Sequence, residues 1–483
     1  MTNAIERDSL FIGGGWRSPE GGGRITVISP NTEQALGSVP EGAEGDIDAA
    51  VAAARAAFSD RSGWGGWTAA QRADAMERLA DELDKRSAEL ARAVSSQNGM
   101  PIAIAQQLEA VFPQLLLRYY AGLAREYPFE ETRPGLLGGS TLVTAEAVGV
   151  VGAIVPWNFP QALAAFKYAP GLAAGATFVL KPSPETVFDS YVFAEAVAAA
   201  GIPDGVINIV PGGRELGAYL VAHPGIDKVA FTGSSAAGRS ISEVCGRLFR
   251  PVTLELGGKS AAIILDDADL DLAKIGEQIF GATLLNNGQT CFLSTRILAP
   301  AARYSEVVDT LTGLAASLQV GDALDPATQI GPMATSRQRE RVESYIAKGK
   351  GDGARLTTGG GRPEFTEQGW FVEPTIFADV DNNYAIAQEE IFGPVLSIIS
   401  YDGDDDAVAI ANASDYGLGG SVWTSDHDHG VAVARRIASG TVGINAYLPD
   451  PTAPFGGIKA SGMGRELGPE GLAAYLVKKS IYL

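Results

Sequence analysis

The chain has 483 residues, 46% of them hydrophobic and 19% charged, which suits two or three domains with real cores and excludes a disordered chain. Its formal net charge of -20 repels nucleic acid and anionic membranes, and no basic stripe offsets it. The two cysteines, Cys245 and Cys291, form no CxxC pair, so neither a disulfide framework nor a zinc site is expected.

The first ten residues lack a basic region followed by an apolar one. No run of about 18 uncharged apolar residues occurs, so no membrane span is expected and the cytoplasm is the default location. Residues 46–58 read as an Ala-rich helix with Asp46 as N-cap. Residues 69–96 read as one long helix, with Met76, Leu79, Leu83 and Leu90 at helical spacing. The polar stretch 130–139 reads as a turn region leading into an alternating strand at 141–148.

Then the rhythm changes. Apolar runs at 150–155, 177–180, 206–210, 228–231 and 252–254 alternate with helix-like stretches such as 184–200 and 236–249. Strand–helix–strand at this spacing predicts an α/β fold with a Rossmann-like open parallel sheet, which binds ligands at the carboxyl ends of its strands. The loops Pro156–Pro160, Lys181–Ser183, Pro211–Gly213 and Thr232–Ser234 then share one edge. A helix at 269–287 begins a second α/β segment and delivers the chain to Cys291, and 475–483 reads as an edge strand.

Three segments carry chemistry. Glu255 lies in Leu254-Glu255-Leu256-Gly257-Gly258-Lys259, and Cys291 ends Asn287-Gly288-Gln289-Thr290-Cys291. They pair a potential base with a potential nucleophile in glycine-flanked turns. Asn158, in Pro156-Trp157-Asn158-Phe159-Pro160, offers an amide to a developing oxyanion. Singly, each has a plainer explanation: a buried small hydrophobe, a cap partner, a turn residue. Cys245, on an amphipathic helix, is read as core. The run Gly233–Ser240 is nearly a P-loop, with Arg239 where the lysine belongs. It suits a dinucleotide pyrophosphate better than a nucleotide triphosphatase, with Ser234 at a helix start as phosphate seat. His427 and His429 read as a solvated turn rather than a metal site, and no histidine falls in a motif, which weakens a Cys–His hydrolase.

Taken in order, PWNFP at Pro156, Lys-Pro-Ser at Lys181, FTGS at Phe231, ELGGKS at Glu255 and NNGQTC ending at Cys291 resemble the aldehyde dehydrogenase superfamily. EEIFGPV at Glu389 and PFGGIKASGMGRELG at Pro454 extend the resemblance, which runs from about Phe11 to the C-terminus. It implies a cofactor domain over 1–124 and 148–258, a catalytic domain over 259–446, and an oligomerisation arm with the C-terminal segment over 125–147 and 447–483. A homodimer or homotetramer follows. It implies oxidation of an aldehyde with NAD(P)+ through a Cys291 thiohemiacetal and thioester, with Asn158 and the Cys291 N–H holding the oxygen, Glu255 activating water and Lys167 relaying protons.

For the cofactor, the resemblance implies Lys181 on the adenosine ribose, Glu390 on the nicotinamide ribose with Phe392 beside it, and Gln338 as a weaker ribose match. Ile154, Trp157, Ser183, Gly212, Gly217, Phe231, Thr232, Gly233, Ser234 and Leu256 complete the cofactor set. Pro184 departs from the glutamate that many NAD-preferring members carry there, so a 2'-phosphate is repelled less and Lys181 and Ser183 could take it; NAD is favoured with NADP left open. Phe159, Leu163, Phe166, Phe292 and Leu448 are placed around the aldehyde tunnel. All are apolar, which points to an uncharged aldehyde: medium-length aliphatic, terpenoid or aromatic. Two alternatives stand beside this reading: transfer of the thioester to coenzyme A, which Glu255 argues against, and a silent binding protein on the same fold.

Overall fold

In the computed structural model, which describes residues 4–483, the five apolar runs become neighbouring strands of one eight-stranded sheet. Its order is Gly462–Met463, Val252–Glu255, Lys228–Thr232, Val150–Ile154, Thr177–Lys181, Ile207–Ile209, Leu10–Ile12 and Gly15–Arg17. The five central strands are parallel and the outer ones antiparallel. All five positions of Val150–Ile154 and of both its neighbours are buried, which is why these runs do not alternate. From Val150–Ile154 the chain goes first to Thr177–Lys181 on one side and later to Lys228–Thr232 on the other. This reversal of strand order leaves a crevice beyond its carboxyl end, where Pro156–Asn158 sits.

A seven-stranded sheet follows, in the order Arg355–Thr358, Thr375–Ala378, Val395–Tyr401, Arg296–Pro300, Ala261–Ile264, Gly420–Trp423 and Gly443–Ile444. Glu255 closes a strand of the first sheet, and Ala261 opens a strand of the second. The five residues between them, with Cys291 on the way to Arg296, therefore lie between the sheets.

A three-stranded ribbon joins Leu476–Tyr482, Ser140–Ala147 and Glu130–Pro134. The expected C-terminal edge strand thus pairs within its own chain, from Leu476↔Ala147 to Tyr482↔Thr141. The turn expected over 130–139 shrinks to 135–139, because Glu130–Pro134 pairs with Ser140–Thr144. Every residue of Glu130–Pro134 is exposed, so backbone pairing alone makes this strand and no apolar pattern announces it.

Four helix expectations change. The long helix breaks into Ala69–Asp84 and Ser87–Asn98, with the Ser87 hydroxyl donating to the Asp84 carbonyl at 2.9 Å. The break falls in the polar run Asp84–Ser87, while Leu83 and Leu90 on either side stay fully buried. Asp46 is not the N-cap: the helix is Glu44–Ser59, and Asp46 accepts the Ala43 N–H at 2.9 Å from inside the first turn. The helix read over 184–200 starts at Phe188, after the Ser183–Thr186 turn. The helix read over 269–287 spans Leu272–Thr283, capped by Asp271. A tight turn follows, in which Asn286, Asn287 and Gly288 all have positive φ (52°, 60° and 72°).

Candidate active site

That turn sets the thiol. Asn and Gly accept the left-handed conformation at little steric cost. Asn287 holds the turn by donating to the carbonyls of Gly99 and Pro332 (2.9 and 3.0 Å) while accepting the Gly331 N–H at 2.7 Å. Asn286 donates to the Asn158 carbonyl at 3.0 Å. Cys291 follows, partly exposed, with its carbonyl so close to Gly258 that a side chain at 258 would collide with it. Burial pushes the Cys291 thiol up, and the carboxylates of Glu390 and Glu255 add to the shift. A positive charge beside the thiol would favour its thiolate against this shift.

Asn158 donates through Nδ2 to the Gln289 carbonyl at 3.0 Å. One amide N–H is used there, and the second remains for a ligand on the Cys291 side. The Asn158 backbone is pinned as well: its carbonyl accepts from Asn286 and, at 3.3 Å, from Asn98.

Glu255 ends its strand with both carboxyl oxygens buried and without a hydrogen-bond partner. Burial raises its pKa well above the usual carboxylate range; Glu466 raises it further, and Lys167 and Arg465 oppose the rise. Lys167 is fully buried, 2.9 Å from Glu466 Oε1, and donates to Thr232 Oγ1 at 2.6 Å. It makes no hydrogen bond to Glu255, so its influence on the base is electrostatic.

Two cavities meet at this chemistry. One is an apolar tunnel lined by all five expected tunnel residues, Phe159, Leu163, Phe166, Phe292 and Leu448, together with Leu108, Phe112 and Phe455. Its rings contact one another, Phe112–Phe166 at 5.9 Å, Phe166–Phe455 at 6.0 Å and Phe292–Phe455 at 6.3 Å between centroids. Leu448 is 62% exposed and stands at the mouth. The other is a cleft lined by Trp157, Thr232, Gly233, Ser234, Leu256, Gln338, Glu390 and Phe392, with Arg341. Cys291 and Asn158 line both.

A family model described as "Aldehyde dehydrogenase family" matches residues 16–481. The chain belongs to the aldehyde dehydrogenase family. It is 58% identical to "Geranial dehydrogenase" of Castellaniella defragrans, over 99% of each chain. A crystal structure of a Mycobacterium tuberculosis aldehyde dehydrogenase complexed with NAD+ superposes with a TM-score of 0.96 at 48% identity, covering 100% of this chain and 99% of that one. A mutant of aldehyde dehydrogenase C from Pseudomonas syringae, complexed with NAD+ and octanal, superposes at 0.94 with 39% identity, covering 98% and 96%.

In this aldehyde dehydrogenase the remaining expected cofactor residues lie on or beside neighbouring strands of the first sheet. Ile154 pairs with both Lys181 and Phe231 in the sheet, and Gly217 packs on the Lys181 and Ile154 side chains. The Phe231 ring is buried in the core with Ile154 and Leu256 and packs under Gly233. Lys181 donates to the carbonyls of Pro182 (3.0 Å) and Gly212 (2.6 Å), and burial lowers its pKa to about 8. Ser183 donates to Glu185 Oε2 at 2.5 Å. Both donors once open to a 2'-phosphate are thus engaged, and a carboxylate stands next to them. Gln338 donates to the carbonyls of Ile391 and Phe392 (3.1 and 2.7 Å), so it holds the loop on which Phe392 sits at φ +62°. Trp157 meets that Phe392 ring edge to face at 5.3 Å.

Several residues at the site went unread in the sequence. Phe455 and Glu466 lie within the PFGGIKASGMGRELG segment, so the motif marks them without saying what they touch. Leu108 and Phe112 have no local signal: they come from helices Ile102–Leu108 and Phe112–Glu126, remote in sequence from Cys291. Among the described residues no His, Cys, Asp and Glu cluster could hold a metal ion, and no helix is long and apolar enough to cross a membrane.

Proposed function

We propose that this aldehyde dehydrogenase oxidises an uncharged, apolar aldehyde to its carboxylic acid with NAD+, with Cys291 as nucleophile and Glu255 as the base for water. The observation that carries this is the meeting of a predominantly apolar tunnel and a polar cleft at Cys291 and Asn158.

The cleft suits a dinucleotide. Ser234 caps the helix Ser235–Arg247, whose free N–H groups favour a phosphate. Glu390 accepts the Gly258 N–H at 3.0 Å and keeps its other oxygen for ribose hydroxyls; a side chain at Gly257 would come within 2.6 Å of that oxygen. NAD+ bound there supplies the hydride acceptor, and its positive ring favours the Cys291 thiolate.

Cys291 Sγ attacks the aldehyde carbon, and the oxygen of the thiohemiacetal receives the free Asn158 N–H and the Cys291 backbone N–H. After oxidation a thioester remains on Cys291, within the electrostatic reach of Glu255. Glu255 takes a proton from a water whose oxygen attacks the thioester carbon, and the thiol leaves with the acid released. The raised pKa makes the ionised carboxylate a stronger base toward water, and Lys167 with Glu466 sets the charge behind it.

Five phenylalanines and no charged side chain line the tunnel. Relatives named for geranial and crystallised with octanal support a terpenoid or medium-length aliphatic substrate. Glu185 beside Ser183 and Lys181 favours NAD over NADP. The division into cofactor domain, catalytic domain and arm follows the two large sheets and the exposed ribbon. The ribbon's tip, Leu136 and Leu137, is fully exposed, in keeping with a homodimer or homotetramer. A cytoplasmic location completes the reading.

The test is NADH formation at 340 nm with citral, hexanal, benzaldehyde and succinic semialdehyde, with and without coenzyme A, and C291A as control. Oxidation of the first three without coenzyme A, abolished in C291A, is expected. A dependence on coenzyme A, or preference for the charged semialdehyde, would overturn the reading.

A further inference from the structure

We propose that Glu109 is a positioning residue of the aldehyde tunnel: its buried carboxyl locks the two opposite walls together and so sets how well long apolar aldehydes are accepted. This rests on the tunnel being the aldehyde site.

The tunnel is built by helices that are distant in sequence. Ile102–Leu108 and Phe112–Glu126 supply Leu108 and Phe112, and Pro160–Ala174 supplies Ala162, Leu163 and Phe166, with Phe159 just before it. Glu109 stands between them, 0% exposed. It follows Leu108 directly and accepts the N–H groups of Gln161 (2.8 Å) and Ala162 (3.4 Å), two of the unpaired donors in the first turn of Pro160–Ala174.

The grip continues on the other side of Gln161. Its side chain donates to Asp189 at 2.6 Å, Asp189 accepts from Gln97, and Gln97 accepts the Phe188 N–H at 3.0 Å. The next residue, Asn98, donates to the carbonyls of Trp157 (3.1 Å) and Asn158 (3.3 Å). Four helices and the Asn158 loop are therefore held by one buried polar network.

Neither acid has a cation in hydrogen-bond or ion-pair contact among the described residues. Two buried carboxyl groups without a counter-ion are expensive to keep, and an apolar pair of similar volume would cost less. What an apolar pair cannot do is fix the register of one helix end against another, which directional hydrogen bonds do. The anchored end carries Phe159, Ala162 and Leu163. A long aldehyde lies against Phe159, Leu163 and Leu108 and feels the register most; a short one touches fewer of these side chains.

The test compares kcat/KM for octanal and propanal in wild type, E109M and E109Q, with melting temperature recorded for each. E109M leaves the Gln161 and Ala162 N–H groups without an acceptor at similar volume. E109Q retains a carbonyl oxygen for the Gln161 N–H. The octanal-to-propanal ratio is expected to fall about tenfold or more in E109M, the worth of one misplaced methylene contact, mainly through KM. In E109Q it should stay within about twofold of wild type. If E109M does not fold, E109D, whose shorter arm pulls the anchor back, is expected to shift the ratio in the same direction.

Equal losses on both aldehydes with a lowered melting temperature would reduce Glu109 to a structural role and refute the proposal, as would an unchanged ratio. A wild type that oxidises neither aldehyde removes the tunnel reading itself, which is a separate failure.

Discussion

Replacing Glu255 by Gln separates the two halves of the reaction. The substitution keeps the volume and the strand, and neither carboxyl oxygen has a hydrogen bond to lose. What disappears is the proton acceptor for the hydrolytic water. General-base catalysis is worth about 10²–10⁴ in rate, so the hydrolysis barrier rises by roughly 3–5 kcal/mol. Attack by Cys291 and hydride transfer do not use this carboxyl in the mechanism above. A stopped-flow trace at 340 nm with octanal should therefore show a burst approaching one NADH per active site, followed by a steady rate about 10²–10⁴ below wild type. Mass spectrometry should find the acyl group on Cys291. The pH profile gives a second reading. Glu255 has a raised pKa, so its base form grows as pH increases, and wild-type turnover should climb through that pKa. In E255Q this limb should vanish. A variant without a burst would place Glu255 before hydride transfer, and one with normal steady turnover would remove it from hydrolysis; either result refutes the assignment.

Asn158→Ala removes one of two oxyanion donors and should lower kcat by about 10²–10³, with the burst slowed as well, measured in the same assay. Phe166→Ala empties the centre of the ring cluster joining Phe112 and Phe455; it should cost about 3–5 kcal/mol in a denaturant titration and raise KM for octanal more than for propanal. Glu185→Gln removes the carboxylate beside Ser183 and Lys181 and should raise kcat/KM for NADP+ about tenfold or more while NAD+ changes little; an unchanged cofactor ratio would show that Glu185 does not govern the choice. Asn287→Ala loses three hydrogen bonds at a residue with φ +60° and should destabilise by about 2–4 kcal/mol in thermal unfolding while slowing the Cys291 burst.

Much of the architecture is legible in the sequence. The buried parallel strands are continuous apolar runs, since a strand covered on both faces needs no alternation, and the loops after them share one edge because parallel strands all end on the same side. Cys291, Glu255 and Asn158 stand out as candidates because each lies in or beside a turn whose glycines, asparagines or prolines have a conformational reason to be there. The ribbon strand Glu130–Pro134 does not, because an exposed strand held by backbone bonds carries no burial pattern. The break at Asp84–Ser87 was hidden for the opposite reason: both halves keep their apolar stripe in register with the core.

By itself the sequence determined the fold class and, through the motifs it shares with the family, named the three candidate chemical groups and the apolar side chains of the tunnel. These depend on local pattern, on turn chemistry and on side-chain type, all of which are written residue by residue. Only the tertiary structure decided that Glu466 stands behind Glu255 with Lys167, that Ser183 and Lys181 are already engaged, and that Glu109 joins the tunnel walls. Each of these is a contact between residues far apart in the chain. Hydrogen bonds and charges act over a few ångströms, and which distant groups come that close is settled by packing, not by spacing along the sequence.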